Sequence, residues 1–188
     1  MHGLSYGHDC VPLKAFINAL DPAKTSGVAV LSRGTTDDEI TKLHRGGVRG
    51  IRLDLYVEGA MHDLEKQRNM LSFFAERIRP WGWNMAFLQL EAANWGPLSK
   101  LISGLPVRVI VDHHALLKAK SMLPAGVIVT EQPGLAAIVS MLKLGNLWVK
   151  LSAPYRCSEQ SPHYGDMQEL VRCLVDANPH RVVWGSDW

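Results

Sequence analysis

Short apolar runs rich in β-branched residues alternate with amphipathic stretches along most of the chain. The apolar runs are mostly continuous, as is typical of strands buried on both faces of a parallel sheet. Strands that alternate with helices predict right-handed βαβ units and an α/β fold. No Gly-x-Gly-x-x-Gly or Gly-x-x-x-x-Gly-Lys motif is present, so the usual nucleotide-binding signatures of doubly wound sheets are missing. The predicted strands are Gly27–Leu31, Val48–Leu55, Asn84–Leu90, Val107–Asp112, Leu147–Ser152 and Arg181–Asp187.

The stretches between these runs carry helix signals. Thr36 and Glu39 have the spacing of a capping box, and Gly46-Gly47 supplies the stop before the next strand. Pro133 is predicted to be an early residue of a helix that Gly145 closes. The other predicted helices are His62–Ile78, Asp166–Ala177 and a shorter one over Pro97–Leu105, and the helix before Gly145 covers Leu135–Leu144.

Composition narrows the class of protein. Hydrophobic residues make up 47% of the 188 residues, which is ample for a buried core and excludes a disordered chain. The formal net charge is only +2 with no basic stripe, so we expect no nucleic-acid partner. No apolar run approaches the roughly 18 residues that a membrane span requires, and no signal peptide is evident, so we expect no membrane association. Three widely spaced cysteines indicate free thiols, and we predict one cytoplasmic domain over residues 1–188.

Polar residues stand where several predicted strands end. In α/β folds the active residues lie at the carboxyl ends of strands. Taken singly, each has a structural explanation: a histidine can be a buried hydrogen-bonding residue, an aspartate can cap a helix, and an arginine can form an ion pair. Four such groups at four strand ends favour one shared site, because burying unpaired charge without function is costly. The candidates are Arg52, Asp112-His113-His114, Ser152 to Arg156, and Gly185-Ser186-Asp187.

Four segments carry a family resemblance. In order along the chain they read GVRGIRLDL, VRVIVDHH, LWVKLSAPYR and RVVWGSDW, and they resemble the amidohydrolase-2 family of the amidohydrolase superfamily. Within that family they are most similar to the 2-pyrone-4,6-dicarboxylate lactonases and related sugar lactonases. The resemblance implies a (β/α)8 TIM barrel. It also implies an incomplete barrel, since the family's first strand with its His-x-His pair and the last helix are missing from the match. Unpaired barrel edges would favour a homo-oligomer.

The same resemblance implies roles for particular residues. Asp187 matches the aspartate that activates the attacking water, and His113 matches the histidine that polarises the carbonyl or supports a metal. Ser5, Arg52 and Arg156 match positions that hold the carboxylates or the oxyanion of the substrate, and Tyr155 offers a phenol hydroxyl beside Arg156. The expected activity is the opening of a lactone of an anionic small molecule by water that Asp187 activates.

Two alternatives stay open at this point. The resemblance to the pyrone dicarboxylate lactonases, which work without a metal, implies no cofactor. The family also contains metal-dependent decarboxylases, which makes a single Zn²⁺ or Mn²⁺ the alternative, although His113 and Asp187 alone are fewer than the three protein ligands of a usual zinc site. The chain could instead be a catalytically silent homologue that serves as a binding module. Glu58 follows the Arg52 strand where the dicarboxylate lactonases tend to be basic, which leaves the substrate open.

Overall fold

In a computed structural model, which describes residues 6–21 and 23–187, six strands form one parallel sheet. The strands lie in the order of the sequence, and each pairs only with its neighbours along the chain. This is the arrangement of consecutive βα units in a (β/α)8 barrel. All six predicted strands are confirmed, each shorter than predicted. They are β1 (Gly27–Ala29), β2 (Val48–Arg52), β3 (Asn84–Phe87), β4 (Val109–Val111), β5 (Leu147–Leu151) and β6 (Val182–Trp184).

Helices follow the strands, with short 3-10 turns between them. The capping box is confirmed, since the Thr36 hydroxyl accepts from the Glu39 backbone N–H while the Glu39 carboxylate accepts from the Thr36 N–H. Pro133 does not belong to the helix before Gly145, because Gly134 in a left-handed conformation is its N-cap. The first helix was not predicted. The helices are α1 (Val11–Ala19), α2 (Asp37–Arg45), α3 (Leu64–Ile78), α4 (Trp95–Gly104), α5 (Leu135–Leu144) and α6 (Met167–Ala177).

The core lies between the sheet and the helices. Successive residues of a strand point to opposite faces. In β5, Leu147 and Val149 are fully buried, whereas Trp148 and Lys150 are partly exposed on the other face. No helix in the described part of the chain is long and apolar enough to cross a bilayer. In β5 the second face carries an aromatic and a charged side chain, and the candidate residues lie at or after the carboxyl ends of β2, β4, β5 and β6.

Candidate active site

Asp187 lies at the centre of the predicted residues. It comes three residues after the end of β6, and its carboxylate is 20% exposed. Its Oδ2 accepts a hydrogen bond from the Tyr155 hydroxyl at 2.7 Å and a longer one from Arg156 Nε at 3.4 Å. Its Oδ1 lies 3.6 Å from His113 Nε2. The carboxyl ends of β4, β5 and β6 thus bring four of the six predicted site residues together.

Arg52 lies outside this group of hydrogen-bonded and ion-paired side chains. Arg52 is the last residue of β2 and is half-buried. Its guanidinium has no hydrogen-bond or ion-pair partner among the described residues, although its charge contributes to lowering the pKa of His113. Arg52 therefore acts electrostatically on His113 without a hydrogen bond or ion pair to the described residues of the cluster. Ser5 lies outside the described residues.

An unusual backbone turn positions His113. The four residues from His113 to Leu116 all have a left-handed conformation, with φ between 53° and 57°, and none is glycine. Such a conformation costs an L-residue roughly 1–2 kcal/mol. Surrounding hydrogen bonds hold the turn: the indole N–H of Trp95 donates to the Ala115 carbonyl at 3.0 Å, and the His113 N–H donates to Ser152 Oγ at 3.3 Å.

The same backbone conformation recurs at the neighbouring strand ends. Ala153 after β5 has φ 48°, and Asp187 after β6 has φ 58°. Three adjacent strands therefore end in turns that residues other than glycine adopt only at a cost in free energy. Strain of this kind persists where the surrounding structure holds it, and it is concentrated at functional sites.

His113 is neutral at pH 7. Burial lowers its pKa from the ordinary value, and the charges of Arg156 and Arg52 act in the same direction, against the opposing carboxylates of Asp187 and Asp112. The side chain is 6% exposed, and its Nδ1 lies 2.9 Å from Ser152 Oγ. The contact between His113 and Asp187 is thus one between a neutral ring and a carboxylate.

Asp187 is ionised at pH 7. Burial raises the pKa of its carboxyl, but the hydrogen bond from Tyr155 and the interactions with Arg156 outweigh that effect and leave the pKa below its ordinary value. The same hydrogen bond to Asp187 raises the pKa of Tyr155, with a smaller contribution from burial. The phenol therefore remains a protonated donor to a charged carboxylate.

Three further residues of this region had no role assigned from the sequence, although His114 and Ser152 lie within the candidate segments and only Lys150 lies outside them. Ser152 contacts both the backbone and the ring of His113, and a serine after a buried strand has no signal in the sequence that marks such a contact. His114 is 4% exposed, and burial lowers its pKa to about 4 against an opposing hydrogen bond with the Ser152 backbone. Lys150 Nζ donates to Asp112 at 2.7 Å. The i, i+2 spacing of Lys150 and Ser152 could have shown that both side chains point to one face of β5.

The described residues do not fit a metal centre. His113 and Asp187 are two candidate ligands, and residues 6–21 and 23–187 contain no group of three or more His, Cys, Asp or Glu side chains placed to hold one ion. A catalytic zinc site usually has three protein ligands. His113 and Asp187 alone therefore fall short of a usual zinc site.

Comparison with known proteins adds a family match. A family model described as amidohydrolase matches residues 13–188. The chain is 31% identical over 173 residues to a 2-pyrone-4,6-dicarboxylate hydrolase of Comamonas testosteroni. The match covers 88% of this chain and 53% of that protein. It is 27% identical over 161 residues to a D-galactarolactone isomerase of Agrobacterium fabrum, covering 86% of this chain and 51% of that protein.

A solved structure is similar along almost the whole chain. It is a Pseudomonas putida protein provisionally named a 2-pyrone-4,6-dicarboxylic acid hydrolase, with a TM-score of 0.74 and 26% identity. The similarity covers 97% of this chain and 63% of that one. The chain thus spans about half the length of the curated relatives it matches and close to two thirds of this solved structure.

Proposed function

The chain belongs to the amidohydrolase family, and from that premise we propose that it hydrolyses a lactone of an anionic small molecule, with Asp187 as the general base. The observation that supports this most directly is the convergence of His113, Tyr155 and Arg156 on the Asp187 carboxylate. The names of the similar proteins, a pyrone dicarboxylate hydrolase and a sugar-acid lactone isomerase, support a lactone with carboxylate groups as the substrate class.

Asp187 has the protonation state of a general base. A general base must be ionised and within hydrogen-bond reach of the proton that it removes. Oδ2 is occupied by Tyr155 and Arg156, whereas the hydrogen bonds of the described residues leave Oδ1 open on the side of His113. We place the attacking water at Oδ1.

His113 and the arginines supply the electrophilic side of the reaction. A neutral imidazole can donate a hydrogen bond to the lactone carbonyl and stabilise the oxyanion that develops there. Arg52 carries a charge without a partner among the described residues, and a guanidinium binds a planar carboxylate bidentately. Arg156 is 48% exposed and touches Asp187 only through a long contact, so it can also meet an anionic substrate.

The bond changes are those of ester hydrolysis. Water oxygen bonds to the carbonyl carbon, its proton passes to Asp187, and the carbonyl electron pair moves to oxygen. When the tetrahedral intermediate collapses, the ring C–O bond breaks and Asp187 returns the proton to the leaving oxygen. The product is an open-chain hydroxy acid whose new carboxyl group ionises.

The test compares two aspartates that each follow a strand. Asp187→Asn removes the base, and we expect turnover of a lactone panel to fall on the order of 10²–10⁴-fold. Asp54→Asn is the control: Asp54 follows β2 and accepts from the Tyr56 and Val57 N–H groups, and an amide oxygen can keep both bonds. Equal hydrolysis by wild type and Asp187→Asn would remove Asp187 from the mechanism.

The metal-dependent decarboxylase alternative has its own measurement. Metal analysis of the purified protein would show near-stoichiometric Zn²⁺ or Mn²⁺, lost on His113→Ala, if that alternative held. Because the described residues offer only two ligands, we expect lactone hydrolysis to withstand a chelator.

We also propose a cytoplasmic location, which the three free cysteines Cys10, Cys157 and Cys173 support. The homo-oligomer stays a prediction, and light scattering measures it directly.

A further inference from the structure

We propose that Ser152 is a positioning residue that fixes the tautomer of His113, so that His113 carries its proton on Nε2 and serves as a hydrogen-bond donor. The tautomer follows from the contacts around Ser152 alone. Its consequence for turnover rests on the proposed function, in which His113 polarises the lactone carbonyl and Asp187 is the base.

The argument begins with the hydrogen-bond capacity of the Ser152 hydroxyl, which has one donor and two acceptor positions. Oγ accepts from the His113 backbone N–H at 3.3 Å, so one acceptor position is used. The other hydrogen-bond partner of Oγ among the described residues is His113 Nδ1, at 2.9 Å. Ser152 is 4% exposed, and a buried hydroxyl proton needs an acceptor. Nδ1 is the acceptor available, so it carries a lone pair and the ring proton is on Nε2.

The other side of the ring favours the same tautomer. Nε2 faces Asp187 Oδ1 at 3.6 Å, which is too long for a hydrogen bond but close enough for a strong electrostatic effect. Beside an ionised carboxylate, an N–H is favoured over a lone pair. Ser152 and Asp187 therefore act on opposite nitrogens of His113 with the same outcome.

The position of Ser152 makes it a firm support. It follows β5 directly, and its backbone also forms a hydrogen bond with the buried ring of His114. Gly185, two residues before Asp187, packs so closely that a Cβ there would lie 3.4 Å from the Cβ of Ser152. Ser152 thus lies among the turns after β4, β5 and β6.

The tautomer decides which reaction step His113 can assist. With the proton on Nε2, the ring can donate to a carbonyl or an oxyanion but cannot remove a proton from water through that nitrogen. The opposite tautomer would place a second base beside Asp187 and no donor. By fixing the tautomer, the Ser152 hydroxyl makes His113 the hydrogen-bond donor to the carbonyl and leaves Asp187 as the base.

The first experiment measures the tautomer by ¹⁵N NMR of histidine-labelled chain, with His113 assigned by comparison with His113→Asn. In the wild type at neutral pH we expect an unprotonated Nδ1 and a protonated Nε2. Ser152→Ala should shift His113 toward a mixture of tautomers, and Ser152→Thr, which keeps the hydroxyl, should restore the wild-type pattern. Ser158→Ala is the matched control, because Ser158 is equally buried but donates to Asp166 instead. A protonated Nδ1 in the wild type, or an unchanged pattern in Ser152→Ala, would overturn the proposal.

The second experiment uses turnover of the lactone that the wild type hydrolyses best. We expect Ser152→Ala to lower kcat on the order of 10–100-fold with little change in KM, the range seen when a hydrogen-bond partner that orients a metal-bound histidine is removed. Ser152→Thr should recover most of the loss, and full activity of Ser152→Ala would contradict the role in turnover. If no lactone is hydrolysed by any form while the NMR pattern holds, the proposed function fails and the tautomer assignment stands.

Discussion

The two halves of the sheet use polar groups at their strand ends in different ways. After β2, Asp54 accepts from two N–H groups of its own loop. After β3, Gln89 donates to Gln67, which in turn donates to the Ala60 carbonyl. Pairs across strands in this first half, Arg33 with Glu58 and His62 with Glu91, are largely exposed. After β4, β5 and β6 the polar side chains, including the buried His113, meet at Asp187.

The two halves of the chain also differ in backbone conformation. The left-handed residues other than glycine are His113 to Leu116, Ala153, Tyr164 and Asp187, and within the described ranges all of them lie in the second half of the chain. In the first half, Asp54 and Gln67 bind local backbone groups, the side-chain pairs across strands are largely exposed, and no described residue other than glycine has a left-handed φ. In the second half, strained turns hold side chains where they contact other side chains. The comparison indicates that the first half supports the site and the second half supplies most of its chemistry.

The largest expected effect on stability comes from a substitution at Gly134. It tests whether the strained turn after β4 depends on the close packing of Gly134 against Ala92 and Trp95. A Cβ on Gly134, which has φ +86°, would lie 2.1 Å from the Ala92 carbonyl oxygen and 2.9 Å from the Trp95 ring that holds the His113 turn. We expect Gly134→Ala to lower the free energy of unfolding by about 4 kcal/mol or more. Gly82 in the first half has φ +63° and open space, so Gly82→Ala should cost only about 1–2 kcal/mol. Denaturant titration measures both, and equal losses would contradict a special packing role for Gly134.

The next effect concerns the pH dependence of stability. Burial lowers the pKa of His114 to about 4, whereas an unfolded histidine titrates near its model value of 6.5. Between these values the unfolded chain binds more protons, so the free energy of unfolding falls as the pH falls, by up to about 3 kcal/mol at the acid end. His114→Asn should flatten this part of the curve of unfolding free energy against pH. An equally steep curve in His114→Asn would contradict a contribution from this buried ring.

The smallest expected effect is a change in the pKa of the Asp187 carboxyl when its hydrogen bond from Tyr155 is removed. Tyr155→Phe removes the hydrogen bond that helps to keep the pKa of Asp187 low. We expect the acid limb of the kcat/KM profile to move to higher pH and turnover at neutral pH to fall about two- to tenfold, since one exposed hydrogen bond contributes roughly 1 kcal/mol. Tyr56, 78% exposed after β2, is the matched control, and Tyr56→Phe should change neither. An unmoved acid limb in Tyr155→Phe would show that the phenol does not tune the base.

Sequence patterns predicted the fold well because its signals are local. Continuous apolar runs marked all six strands, and the Thr36 capping box marked the start of α2 as the structure has it. The first helix, Val11–Ala19, was missed because Phe16 and Val11 are apolar yet exposed, which obscures the helical periodicity. The rule that active groups follow strands also predicted that Asp187, His113, Tyr155 and Arg156 would converge.

What the sequence could not show depends on contacts between distant residues. Nothing in His113-His114-Ala115-Leu116 predicts four left-handed residues, because these residue types disfavour that conformation and only the surrounding hydrogen bonds impose it. The link between Ser152 and His113 spans 39 positions and depends on the register of β4 against β5. Arg52 was predicted to bind the substrate; its guanidinium forms no hydrogen bond or ion pair with the described residues of the Asp187 cluster, and its role stays a prediction.

The sequential strand order has a consequence for synthesis on the ribosome. A chain that emerges amino end first can pair β1 with β2, then β3, and so on, because no strand has to wait for a partner made much later. Asp187 follows the last of these strands, and His113, Tyr155 and Arg156 emerge before it. The nascent chain therefore presents Arg52 and Arg156 before Asp187, and under the proposed function it can fold through most of its length before it can hydrolyse a lactone.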